Sequence, residues 1–205
     1  MNFKSFRGFK AAKFAVVAAA SLTLAACGIN SVPAAEENAK AKWADVEAQF
    51  QRRANLIPNL AEVAQGAAEN ERAILTEVTE ARARATSVNV SANDLGDGAK
   101  MEEFAAAQSQ MSQGIGRLLA SFEAYPQITS TQGYITLQSQ LEGTENRIAV
   151  ALRDYNEAVR QYNTTIRTFP DTIGANIIHG AEPLVPYSAT TEGAEEAPEL
   201  DLTSD

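Results

Sequence analysis

His179 is the only histidine and Cys27 the only cysteine in 205 residues, which removes most routes to catalytic chemistry. One imidazole, in a weakly patterned C-terminal stretch, excludes Ser-His and Cys-His pairs in any usual arrangement and a His-based metal centre. Carboxylates are plentiful, but Asp and Glu among Arg and Lys on helices make a solvated face far more often than a site. Asp94 and Asp97 share one loop and are too few for calcium. No catalytic residue, metal or cofactor is therefore expected. The informative polar residues are those that interrupt apolar seams: Arg53, Gln108 and Glu145, with Asn146, Asn156 and Asn163 beside the last. They either fix helix register as a buried polar network or line a recognition groove. Tyr155 and Tyr162 fall on the same seam as core residues whose hydroxyls need partners if buried.

These residues must be positioned by long helices. From Glu36 to about Ser87 the chain is rich in Ala, Glu, Gln and Arg, which favour helix. Apolar residues recur in steps of three and four at Trp43, Val46, Phe50, Ile57, Leu60, Ala64, Ala67, Ile74, Val78 and Ala81. Pro58 lies inside this run and predicts a kink near Asn55–Asn59 rather than two unrelated helices. Val88–Gly98 reads as a loop. A second helix over about Ala99–Ala124 has the seam Met101, Phe104, Gln108, Met111, Ile115, Leu118, Phe122 and Tyr125. Gly114 and Gly116 either weaken it by roughly 1 kcal/mol each or allow close helix approach; both readings stay open. Tyr125-Pro126 ends it. A third helix, about Thr131–Phe169, carries the clearest seam, from Tyr134 through Leu137, Leu141, Glu145, Ile148, Leu152, Tyr155, Val159, Tyr162 and Ile166 to Phe169. No alternating pattern supports a strand. The fold class is all-α, an antiparallel bundle of three long helices, or three with a short fourth. Residues 171–187 form a short C-terminal segment that packs on the bundle 36–170, and 188–205 are an acidic disordered tail.

Helix lengths give two further expectations. A first helix of about 50 residues is near 75 Å long, against roughly 39 Å for the second. The excess leaves Trp43, Val46 and Phe50 as an uncovered apolar stripe, a candidate interaction surface. Counting levels sets Glu145 opposite residues 69–72, so Arg72 is its natural partner, and Arg53 lies lower, near Tyr125-Pro126.

The N-terminal end speaks to location. Lys4, Arg7, Lys10 and Lys13 precede an apolar run from Phe14 to Ala26 that closes on Leu24-Ala25-Ala26-Cys27. Basic, apolar, then small residues is the layout of a secretory signal peptide over 1–26. The run is short for a membrane span, which needs about 20 apolar residues. The closing tetrad looks like a lipobox, with Cys27 as the lipid attachment point before a tether over 27–35; an uncleaved N-terminal anchor helix is the alternative. Gly28 after the cysteine weakly favours an outer over an inner membrane. Removing 1–26 takes away four of 17 basic residues and none of 26 acidic ones, leaving a charge of −13. That argues against nucleic acid and against electrostatic adhesion to anionic lipid.

Three stretches together carry a resemblance. Trp43–Ala83 holds RR-x-N-L-I-P-N-L, Glu123–Ile128 holds Y-P, and Leu141–Pro170 holds E-N-R-I…Y-N…Y-N…F-P. In this order they resemble the LemA family and cover most of the chain after Cys27. The resemblance implies an antiparallel helical bundle that faces the exterior and is tethered at its N-terminus. Many relatives are held by an uncleaved transmembrane helix, which the lipobox here replaces. It implies no particular activity. The leading expectation is a membrane-anchored module in the cell envelope, facing periplasm or exterior, that self-associates or scaffolds an envelope protein. A small-ligand-binding protein with a site near Glu145 and Asn146 is the alternative, and a carboxylate hydrolase is third.

Overall fold

Ala, Glu, Gln and Arg are abundant, and the helices they favour make up most of the described residues. The computed structural model describes residues 5–63, 69–129 and 131–188, with side chains over 30–63, 72–126, 128–129 and 131–188. Its elements are α1 (Ser5–Val63), α2 (Glu69–Ser87), α3 (Gly98–Phe122), α4 (Pro126–Thr129), α5 (Gln132–Thr165), α6 (Asp171–Gly174) and a π-helical turn, Ala175–His179. There is no strand among the described residues. The tail over 189–205 and seam positions Ala64 and Ala67 lie outside the described residues. Cys27 falls within the backbone span of α1, ahead of the described side chains.

The all-helical bundle agrees with the sequence reading, but the helix count does not. The run from Glu36 to Ser87 is two helices, not one kinked rod. α1 continues through Pro58 to Val63, and α2 folds back against it. The continuity has a local cause. A proline at 58 cannot donate to the carbonyl four residues earlier, and that carbonyl, of Ala54, accepts instead from Arg82 Nε of α2 at 2.8 Å. The helix loses an internal bond and gains a tertiary one.

Four long helices, α1, α2, α3 and α5, alternate in direction. α1 packs along α5, and α2 along α3. Val63 lies by Gly133, Arg53 by Glu145, Trp43 by Tyr155, and Val32 by Tyr162 and Ile166, so the first pair is antiparallel along its whole shared length. Gly114 of α3 lets α2 approach: a Cβ there would stand 3.2 Å from Val78 Cγ2, whereas one at Gly116 meets nothing within 4 Å. The close-approach reading therefore holds for Gly114 and not for Gly116. Asp97 caps α3 by accepting from the N–H groups of Ala99 and Lys100, and Thr131 caps α5 by accepting from Tyr134.

Two apolar clusters fill the bundle. One joins Ile57 and Leu60 of α1, Val78 of α2, Met111 and Leu118 of α3, and Leu137 and Leu141 of α5. The other gathers Trp43, Val46 and Phe50 with Val90, Leu95, Phe104, Ile148 and Tyr155. A smaller group, Val32, Tyr162, Ile166 and Ala175, closes the end from which the N-terminal part of α1 departs.

Candidate functional site

The Trp43, Val46 and Phe50 stripe is not a surface. The three side chains are 0, 1 and 5% exposed. The overhang vanishes because α1 ends at Val63, which brings Trp43 level with Tyr155 and the loop after α2. Trp43 Nε1 donates to the Val90 carbonyl at 2.6 Å, and its ring packs on Phe104 and Tyr155 at 5.4 and 5.0 Å between centroids. Phe50 meets Phe104 edge-on and Tyr187 of the C-terminal segment.

At the boundary between the two large clusters lies Arg53, 2% exposed. Nη1 donates to Ser112 Oγ (2.6 Å) and Glu145 Oε1 (3.0 Å), and Nη2 donates to Gln108 Oε1 (2.9 Å) and the Gln108 carbonyl (3.2 Å). The guanidinium also stands 5.0 Å over the Phe50 ring. Gln108 passes the network on, its amide nitrogen donating to the Ala85 carbonyl of α2. One cation thus ties all four long helices at one level. Of the five candidate residues, Arg53, Gln108 and Glu145 come together. Arg72 does not pair with Glu145: it is exposed in the first turn of α2, because the fold-back after Val63 brings Arg53 to Glu145's height instead. Asn146 is exposed and outside the network. Arg53 is buried while the Glu145 side chain is 50% exposed, so the pair opens onto a groove of about 470 Å³ between α3 and α5. Phe50, Ser112, Leu152 and Tyr187 help to line it.

A second polar set is built on α5: Asn156 and Asn163, expected to fix helix register or to line a groove, bond instead to the C-terminal segment, which also supplies the partners that the Tyr155 and Tyr162 hydroxyls need. Residues 181–188 run across α5 without helix. Asn163 donates to the Leu184 carbonyl (2.8 Å) and accepts from the Leu184 N–H (2.9 Å). One Tyr-Asn repeat earlier, Asn156 does the same with both backbone groups of Tyr187, at 2.9 and 2.8 Å. Tyr155 and Tyr162 donate their hydroxyls to the carbonyls of Val185 and Glu182, and the Val185 N–H reaches the Leu95 carbonyl. Burial raises the phenols of Tyr155 and Tyr162, and that of Tyr187 in the C-terminal segment, above their ordinary value near 10, so the two hydroxyl donors stay protonated well beyond neutral pH. Two Tyr-Asn pairs seven residues apart therefore grip a strap by its main chain alone. The visible signal was the repeat itself, since a spacing of seven returns each pair to the same helix face.

Among the described residues no group of three or more His, Cys, Asp and Glu could hold a metal ion. The architecture defines a class: a four-helix antiparallel bundle, pinned through its centre by one arginine and bound along one side by its own C-terminal strap. Residues 42–202 match the LemA family model, and the chain belongs to that family. It is similar to the magnetosome protein MamQ of Magnetospirillum gryphiswaldense, 28% identical over 136 residues, which are 58% of this chain and 50% of that protein. It is also similar to magnetosome proteins MamQ 2 and MamQ 1 of Paramagnetospirillum magneticum, each 29% identical over 148 residues, 63% of this chain and 53% of those proteins. The chain thus spans about half the length of the curated relatives it matches.

Proposed function

We propose that this protein is a membrane-anchored, extracytoplasmic interaction module of the cell envelope, without enzymatic activity, tethered by a lipid on Cys27 after removal of residues 1–26. Family membership, and relatives described as magnetosome proteins, support a membrane-associated helical protein. The observation that carries the interaction reading is that the polar seam residues are taken up in bonds within the fold. The seam cation Arg53 bonds to Gln108, Ser112 and Glu145, and Asn156 and Asn163 bond to the strap. Polar groups committed to holding the fold leave binding to the outer faces of the bundle, which suits a scaffold for an envelope protein or a second copy. Gly28 favours the outer membrane over the inner. In cells, wild-type protein should take up radiolabelled palmitate and crosslink to a defined partner at the membrane. Cys27→Ser should leave a larger, unlabelled precursor. An unchanged size in that variant overturns the lipid anchor, and loss of every crosslink in wild type overturns the module.

A second reading, small-ligand binding, draws on the groove onto which the Arg53–Glu145 pair opens. A carboxylate ligand in the groove would compete with Glu145 for Nη1, so E145Q should raise its affinity. A panel of small carboxylates that leaves the melting temperature of both wild type and E145Q unmoved removes this reading.

A further inference from the structure

Four large apolar side chains stand in solvent within one short stretch: Phe169 (77% exposed), Ile173 (51%), Ile177 (80%) and Ile178 (56%). Among the described residues the other large exposed apolar side chains, Ile135 and Val150, lie apart from it on α5. Ile173 and Ile177 are spaced by four, so the turn of α6 and the π helix sets them on one side, and Phe169 stands exposed in the turn just ahead of α6. Apolar patches of this kind are uncommon on a free surface and mark contact with protein or membrane.

Location identifies the occupant. The turn is fastened to α1, where Ser31 Oγ donates to Asp171 Oδ1 at 2.7 Å and Ala175 is buried with Val32 and Ile166. Ser31 is four residues after Cys27, about 6 Å along a helix. The patch therefore lies at the end of the bundle from which α1 runs towards its N-terminus, beside the anchor. The bundle's charge makes electrostatic adhesion to a lipid surface unfavourable, so contact there needs apolar insertion.

We propose that the turn Phe169–His179 is a membrane-inserting wedge, which seats Phe169, Ile173, Ile177 and Ile178 at the headgroup–acyl boundary next to the anchor. The inference rests on the anchored reading above and adds a second point of contact. Two contacts, one acyl and one wedge, hold the bundle at a set angle to the membrane instead of letting it swing on a tether.

The test uses the full chain in phosphatidylcholine vesicles, with an environment-sensitive fluorophore on Ile177→Cys or, at the other end of α5, on Gln138→Cys. Both positions are exposed, so neither variant disturbs the core. The label at 177 should show a blue shift and lose emission to nitroxide-bearing lipids, with no change on adding salt; the label at 138 should do neither. Mass spectrometry of Cys27 scores the anchor separately, and if that residue carries no lipid, 177 is read in a Cys27→Ser background. Water-like emission at 177 overturns the wedge. A blue shift that lipid nitroxides do not quench also overturns it, in favour of contact with a second copy.

Discussion

Arg53 and Glu145 are bonded to each other yet unequal, because one is buried and the other half in water. Removing the arginine strips two hydrogen bonds from Gln108 and leaves a cavity, whereas removing the glutamate leaves Arg53 with Ser112 and Gln108. Arg53→Ala should therefore cost about 2–4 kcal/mol and Glu145→Ala about 1 kcal/mol or less, measured by urea unfolding; equal costs would show that Glu145 is as buried in solution as Arg53. A second expectation concerns acid. The Lys100 ammonium, 2.5 Å away, and the hydroxyl and N–H of Ser91 hold Asp94 from its ordinary value near 3.8 down to about 2. A carboxylate depressed in the folded state stabilises above its unfolded value and loses that contribution as pH falls through its folded one. Asp94→Asn should therefore flatten the loss of stability between about pH 4 and pH 2 while changing little below it, as followed by helical ellipticity. At this scale the sequence was partly legible. Polar residues within an apolar seam marked Arg53, Gln108 and Glu145 as a set, but which arginine met Glu145 depended on a chain reversal that local pattern does not reveal.

Helices are where the reading and the structure part company, and Pro58 is the reason. Proline is the strongest local breaker, while between Val63 and Glu69 the only breaker residue is Gly66 among helix formers. The expected kink was assigned to Pro58, yet tertiary contact overrides it, since Arg82 of α2 supplies the donor that proline lacks. A double-mutant cycle isolates this exchange. Arg82→Met should cost about 1–3 kcal/mol by leaving the Ala54 carbonyl unpaired, and Pro58→Ala, which restores a backbone N–H, should reduce that cost. Additive effects would show that Arg82 acts elsewhere. The two glycines of α3 give a second contrast. Gly116→Ala should stabilise by up to about 1 kcal/mol through helix propensity. Gly114→Ala should forfeit that gain, because Val78 is fully buried and its branched side chain is stiff at χ1. Thermal melts of the two variants decide it, and matching gains would mean that α2 and α3 separate without cost. The seams themselves were legible: nearly every apolar position named on the second and third helices is buried. Tyr125 and Leu152 are half-buried, and Phe169, standing beyond the end of α5, is exposed.

For the molecule as a whole, burial of Trp43 and Phe50 changes what their substitution should do. Trp43→Glu with Phe50→Glu places two carboxylates in a cluster roofed by Val90, Leu95 and the strap. The double variant should unfold, with loss of helical ellipticity, instead of turning an oligomer into a folded monomer; a folded, well-dispersed double variant would contradict the core assignment. The strap explains why the roof over this cluster was not legible in the sequence. Its hydrogen bonds to α5 all pass through its own main-chain atoms, which leave no side-chain pattern in residues 182–187, and only the packing of Leu184, Val185 and Tyr187 depends on residue identity. The pairing of α1 with α5 has a mechanical consequence. The two helices lie antiparallel from Val32 beside Ile166 to Val63 beside Gly133. A force drawing α1 out along its axis would load that whole seam in shear, Arg53 included, so its contacts must yield together and not open one after another like a zipper.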